Sequence, residues 1–190
     1  GLCAVGLALV FVKVLKSART GERWLLGGCF LLLVGLRWLT IRHFGFSSPF
    51  WDYWQFPWTV YFPFEDGTLS WKSLFLPVNE HRIFFTRIFS LFSFRLNGQW
   101  DNTYEAVLNS LFFSLSCFGL MLALWRAAGR RYAALIGGLV VAFCALPFSW
   151  ENTVWANQSQ FYFFAGFSFL TFWLLGLSRP FSARWWLGCA

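Results

Sequence analysis

The chain has 190 residues, of which 58% are hydrophobic and 12% are charged, and its mean hydropathy is +0.56. These values exclude an ordinary soluble domain, whose apolar and polar shares are nearly even. The aromatic share of 23% suits a lipid bilayer, in which Phe contacts acyl chains and Trp collects at the interfaces. The net charge of +7 comes from basic residues that form no long run or stripe, so nucleic acid is not an expected partner.

The cysteines do not indicate a disulfide framework or a metal site. Their number is odd, they lie inside apolar stretches, and they form no Cys-x-x-Cys pair and no Cys/His cluster. We therefore expect them to be small residues of membrane helices. They are Cys3, Cys29, Cys117, Cys144 and Cys189.

Apolar stretches predict several membrane helices, because crossing about 30 Å of hydrocarbon takes about 20 mostly apolar residues. Full stretches occur at 24–41, 105–126, 133–149 and 161–177. We expect residues 1–15 to end an earlier span and residues 185–190 to begin a later one, so that the chain is a fragment of a longer protein. The predicted fold class is an all-α, polytopic membrane helix bundle forming a single transmembrane domain.

The basic residues orient these spans, because Lys and Arg near span ends remain on the cytoplasmic side. Nine of the 15 basic residues lie in the short connectors at 13–23, 126–131 and 179–184. Segments 42–105 and 150–160 carry five basic residues but seven of the eight acids. The long segment 42–104 is therefore predicted to be extracytoplasmic.

Residues 83–96 offer an alternative topology in which they form a further span. This run has 14 residues and contains Arg87 and Arg95, so it is too short and too charged to cross a bilayer comfortably. We expect an amphipathic helix in the interface, with its apolar face toward lipid and its arginines toward lipid phosphates. The remainder of the segment is expected to form short surface helices, one of them capped by Ser70. Asn79 is expected to cap the helix that begins at Glu80.

Two polar clusters interrupt the aromatic outer segment. Trp51-Asp52-Tyr53-Trp54 places a carboxylate among aromatic rings near the headgroups. Asn79-Glu80-His81-Arg82 combines an acid, an imidazole and a guanidinium, and Arg82 and Arg87 can grip a phosphate bidentately. A structural explanation stays open for both clusters, in which Asp52 is a solvated or capping acid and the second cluster is a helix N-terminus.

The next outer loop holds two weaker candidates, Glu151 and Gln160. Glu151 follows Trp150 at the outer end of a span, where a solvated loop acid is the simplest interpretation. Gln160 is equally consistent with a packing residue. Neither residue carries a functional assignment by itself.

These features together resemble the N-terminal half of the GT-C class of membrane glycosyltransferases, which use polyprenyl-phosphate-linked sugars, and its bacterial members in particular. The resemblance covers about residues 24–177. The chain differs from that class in lacking the later spans and any C-terminal domain, and in having an extra partial span at its start. The matching motifs are Trp51-Asp52-Tyr53-Trp54, Gly67-Thr68-Leu69-Ser70, Asn79-Glu80-His81-Arg82-Ile83 and, more weakly, Trp150-Glu151-Asn152 and Gln158-Ser159-Gln160-Phe161.

The resemblance implies sugar transfer from a polyprenyl-phosphate donor to an extracytoplasmic glycan or lipid acceptor, at the outer face of a bacterial inner membrane. Asp52 is then expected to be the general base, with Glu80 as an assisting carboxylate and Glu151 as a third candidate. The departing phosphate is expected to be stabilised by basic side chains, and Gln160 is expected to contact the substrate. The basic side chains are His81, Arg82 and Arg87.

Cofactor use and function class stay open at this point. Some members of the GT-C class need a divalent cation and others do not, so a cation is neither required nor excluded. A transporter or flippase of a lipid-linked substrate is the main alternative, although it predicts ionisable residues deep within the spans. A non-catalytic membrane scaffold is the third function considered.

Overall fold

The computed structural model describes residues 20–78, 81–146 and 150–189. Within these ranges the chain is mostly helical and has no β-strand, only an isolated bridge between Val78 and His81. The all-α prediction is therefore confirmed for this part of the chain. The predicted partial span at 1–15 lies outside the described residues.

The helices coincide with the apolar stretches of the sequence. In chain order the α-helices are α1 (Thr20–Phe44), α2 (Phe62–Glu65), α3 (Phe84–Asn97), α4 (Asn102–Ala128), α5 (Ala133–Ala145), α6 (Trp150–Val154), α7 (Ser159–Gly176) and α8 (Ala183–Cys189). Short 3₁₀ or π turns lie at Trp51–Gln55, Pro57–Tyr61, Trp71–Phe75, Arg130–Tyr132 and Ala156–Gln158.

Helix α5 is shorter than its apolar stretch predicts. The stretch continues to residue 149, but the helix ends at Ala145, and Leu146 is extended with a ψ of 141°. The cause is the proline that follows Leu146 in the sequence, because a residue before proline is pushed out of the helical region. The 13 residues of α5 reach about 20 Å at about 1.5 Å per residue, less than the hydrocarbon thickness.

Helices α1 and α4 are long and apolar enough to cross a membrane, with 25 and 27 residues. Only 28% and 39% of their most apolar 18-residue stretches are buried inside the protein. Leu31 and Leu32 of α1 and Leu111 and Leu115 of α4 are among the exposed side chains. Because water penalises exposed apolar surface by about 25 cal/mol per Å², these surfaces suit an apolar solvent.

The described residues form two compact units. The first unit lies within 1–37, 112–146 and 164–190, and its core is apolar. The core residues recur every three or four positions along α1, α4 and α5, so each helix buries one face. They include Leu26, Cys29 and Leu33 of α1, Cys117, Phe118, Met121, Leu122 and Trp125 of α4, and Ala133, Ile136 and Val140 of α5.

The second unit comprises described residues of 38–111 and 147–163 and has a partly polar interior. Its helix α3 has the predicted amphipathic pattern, with the polar face buried inside the unit and the apolar face exposed. The buried face carries Thr86, Arg87, Ser90 and Ser93, each at most 3% exposed, whereas Phe85, Ile88, Phe92 and Leu96 are 37% to 56% exposed. A helix of a water-soluble protein buries its apolar face instead.

Helix α1 provides a matched pair of leucines for testing this packing. Leu33→Ala is expected to lower the free energy of unfolding by about 2–5 kcal/mol, because Leu33 is 0% exposed in the first unit's core. Leu31→Ala, at a position 69% exposed, should change it by less than about 0.5 kcal/mol. Thermal unfolding in detergent micelles measures the difference, and equal losses for the two variants would contradict the packing.

Candidate functional site

Asp52 lies on the surface of the 3₁₀ turn Trp51–Gln55, directly before the buried Tyr53. Trp51 has a φ of 46°, in the left-handed region that a bulky side chain rarely adopts. Its ring packs against Phe50 and Trp155, with ring centroids 5.6 and 5.9 Å away. Backbone strain of this kind persists only where the surrounding packing holds it. The aromatic contacts therefore support the strained turn that presents Asp52.

A buried hydrogen-bond network lies beneath this turn. The hydroxyl of Tyr53 donates to Oε2 of Glu105, and Ser90 Oγ donates to Oε1 of the same carboxylate at 2.5 Å. The hydroxyl of Tyr61 lies 3.2 Å from that of Tyr53. Glu105 lies in the first turn of α4 and is only 1% exposed. No local pattern in the sequence distinguishes Glu105 from the other acids, because its partners are 52 and 15 residues away in the chain.

Both tyrosines of the network keep their protons. Burial raises the pKa of Tyr53 well above its usual value of 10, and the negative charge of Glu105 raises it further. Burial and then the same charge raise the pKa of Tyr61 above 10 as well. Tyr53 is therefore a hydrogen-bond donor throughout the physiological pH range.

Two asparagines of α4 hold other parts of the second unit to the same helix. Asn102 Nδ2 donates to the carbonyls of Phe46 at 2.7 Å and Val154 at 3.0 Å, and its Oδ1 accepts from the amide of Ala156 at 3.1 Å. Asn109 Nδ2 donates to the carbonyl of Ala156 at 2.8 Å. The chain near residue 46 and the loop after α6 are thereby fixed to one stretch of α4.

His81 and Arg82 are exposed and lie between a tight turn and α3. The amide of Val78 donates to the carbonyl of His81 at 2.8 Å, and the amide of His81 donates back at 3.0 Å. Glu80, the predicted second carboxylate, lies outside the described residues. Helix α3 begins at Phe84 with Ile83 as its N-cap, and not at Glu80 as the sequence predicted.

Arg87 lies elsewhere than the sequence predicted. Its guanidinium is 2% exposed, and Nη1 donates to the carbonyls of Ser73, Leu74 and Leu76 at 2.7, 3.2 and 2.6 Å. Burial lowers the pKa of Arg87 below its usual value. This side chain therefore holds the turn at 71–76 against α3 and is not turned outward toward lipid phosphates.

The remaining candidates belong to the same compact unit as Asp52. Glu151 is exposed in α6, and Gln160 is half-buried with its Nε2 3.4 Å from Oε1 of Gln158. The second unit thus carries Asp52, His81, Arg82 and Glu151 as exposed groups and Arg87 as a buried one. Among the residues whose positions are described, no group of three or more His, Cys, Asp or Glu could hold a metal ion.

The buried phenols predict an alkaline limit to stability. Because their folded pKa lies above the unfolded value near 10, their contribution is complete below about pH 10 and is lost as the pH rises further. Tyr53→Phe should make the fall in unfolding free energy above about pH 10 shallower, by up to about 1.4 kcal/mol per pH unit. Leu33→Ala removes no ionisable group and should lower stability equally at every pH. Thermal unfolding at stepped pH checks this, and parallel curves for the parent and Tyr53→Phe would refute it.

Comparison with protein families, with curated proteins and with solved structures finds no match to this chain.

Proposed function

We propose that the protein is a membrane glycosyltransferase of the GT-C type, transferring a sugar from a polyprenyl-phosphate donor to an extracytoplasmic glycan or lipid acceptor. The observation that carries the proposal is the exposed carboxylate of Asp52, presented by a strained aromatic turn in the same compact unit as the exposed His81 and Arg82. A base and phosphate-binding groups are the side chains that this transfer needs.

The proposed chemistry assigns one role to each group. Asp52 removes the proton of the acceptor hydroxyl while the oxygen of that hydroxyl attacks the anomeric carbon. The bond from the anomeric carbon to the phosphate oxygen breaks at the same time. His81 and Arg82 stabilise the charge that grows on the departing phosphate, and Glu80 assists as a second carboxylate. Arg87 acts indirectly in this scheme, because it holds the turn at 71–76 through backbone carbonyls.

The surface of the second unit supports a lipid-linked donor. Trp51, Trp54, Trp58 and Trp71 are all exposed, and so is the apolar face of α3. Tryptophan is typical of the zone between headgroups and acyl chains, which is where the phosphate of a polyprenyl lipid lies. A carboxylate in this zone can meet both a membrane-held donor and an acceptor from the aqueous side.

The proposal includes a multi-pass topology in a bacterial inner membrane, with α1, α4, the apolar stretch 133–149 and α7 crossing and segment 42–104 outside. The distribution of basic residues supports this orientation.

In a cysteine-free background, Asp66→Cys should react with a membrane-impermeant maleimide in intact cells. Arg131→Cys should react only after the cells are opened; both positions are exposed. Labelling of Arg131→Cys in intact cells would refute the orientation.

Replacing Asp52 tests the catalytic proposal. Asp52→Asn removes the base but preserves the size of the side chain, and is expected to lower transfer by at least about 100-fold. Asp66→Asn changes an exposed acid next to the turn after α2, and should leave transfer unchanged. The assay measures the release of a radiolabelled hexose or pentose from its polyprenyl phosphate carrier. It uses membranes that contain equal amounts of each variant. Undiminished release by inserted Asp52→Asn would eliminate Asp52 as the base.

A further inference from the structure

Glu105 occupies a helix N-terminus without serving as its cap. Oδ1 of Asp101 accepts from the amides of Thr103 at 2.8 Å and Tyr104 at 3.2 Å, so Asp101 already caps α4. The carboxylate of Glu105 points into the second unit, where it is 1% exposed. Its position is therefore explained by what it binds inside the unit.

The carboxylate of Glu105 is satisfied by hydroxyl groups. A buried carboxylate is costly unless each oxygen accepts hydrogen bonds. Here Oε2 accepts from Tyr53 and Oε1 accepts from Ser90, and no basic side chain is among its hydrogen-bond partners in the described part of the chain. Each hydroxyl is therefore held in place by a buried hydrogen bond.

Tyr53 transmits this restraint to the surface. Its ring is 0% exposed and packs edge-to-face on Phe56 and Trp100, with centroids 4.8 and 5.2 Å away. The turn that contains it has no side-chain cap at Phe50. Since Asp52 precedes Tyr53 directly, the anchoring of Tyr53 determines where the Asp52 backbone lies.

We propose that Glu105 is a positioning residue, which fixes the Asp52 turn by accepting the hydrogen bond of Tyr53. Its consequence for catalysis rests on the proposed function, but the anchor itself does not. Ser90 binds the other oxygen of the same carboxylate and belongs to α3, so its bond orients Glu105 without touching the Asp52 turn. The two bonds can therefore be separated by mutation.

Hydrogen–deuterium exchange of the purified chain in lipid nanodiscs tests the anchor directly. Tyr53→Phe and Glu105→Leu should each speed amide exchange in residues 51–55 by about tenfold or more, because each removes one partner of the same buried hydrogen bond. The double variant should exchange within about threefold of the faster single variant. Ser90→Ala is the matched control and should stay within about threefold of the parent in this segment.

The outcomes separate the anchor from the enzymatic activity. If Glu105→Leu fails to fold, Tyr53→Phe decides, since it keeps the ring and removes only the hydroxyl. Unchanged exchange in folded Tyr53→Phe, or an equal increase in Ser90→Ala, overturns the proposal whatever the Asp52→Asn assay shows. In the transfer assay, Tyr53→Phe should lower kcat by about tenfold and leave KM unchanged, as expected for a displaced base. A rise in KM at constant kcat would instead contradict positioning.

Discussion

The buried carboxylate of Glu105 is the constraint on which the second unit depends. A carboxyl group with so little access to water must be matched by hydrogen-bond partners, and the chain supplies them from two separate segments, the aromatic turn at 51–55 and helix α3. Both segments must therefore lie against the start of α4. The asparagines at positions 102 and 109 add further contacts along α4, because their side-chain amides donate to the carbonyls of Phe46, Val154 and Ala156.

A bilayer as solvent would make this polar interior compatible with an apolar exterior. Helix α3 turns Ser90 and Arg87 inward and Phe92 outward, which would be unfavourable in water. In lipid the preference reverses, because polar groups without partners are penalised by hydrocarbon while Phe and Leu are not. The first unit shows the other solution, an apolar core between helices whose outer surfaces are also apolar.

Much of the secondary structure was predictable because it depends on local chemistry. Ser70 caps the turn at 71–75 by accepting from the amide of Lys72 at 3.2 Å, as its position before that turn predicts. Gly98 ends α3 with a φ of 69°, a conformation that glycine adopts without a steric penalty. Leu146 shows the limit of a hydropathy criterion, because the proline after it shortens α5 while the apolar stretch continues.

The sequence by itself determined the all-α class, the apolar helices and the aromatic character of segment 42–104, since composition, periodicity and capping are local properties. Only the tertiary structure decided which polar groups are inside. Arg87 was predicted to face phosphate and is instead bound to carbonyls of the turn before α3. Glu105 looked like one outer acid among seven and is the buried acceptor for Tyr53. The physical reason is that burial and hydrogen-bond partners depend on residues distant in the chain, which no local pattern encodes.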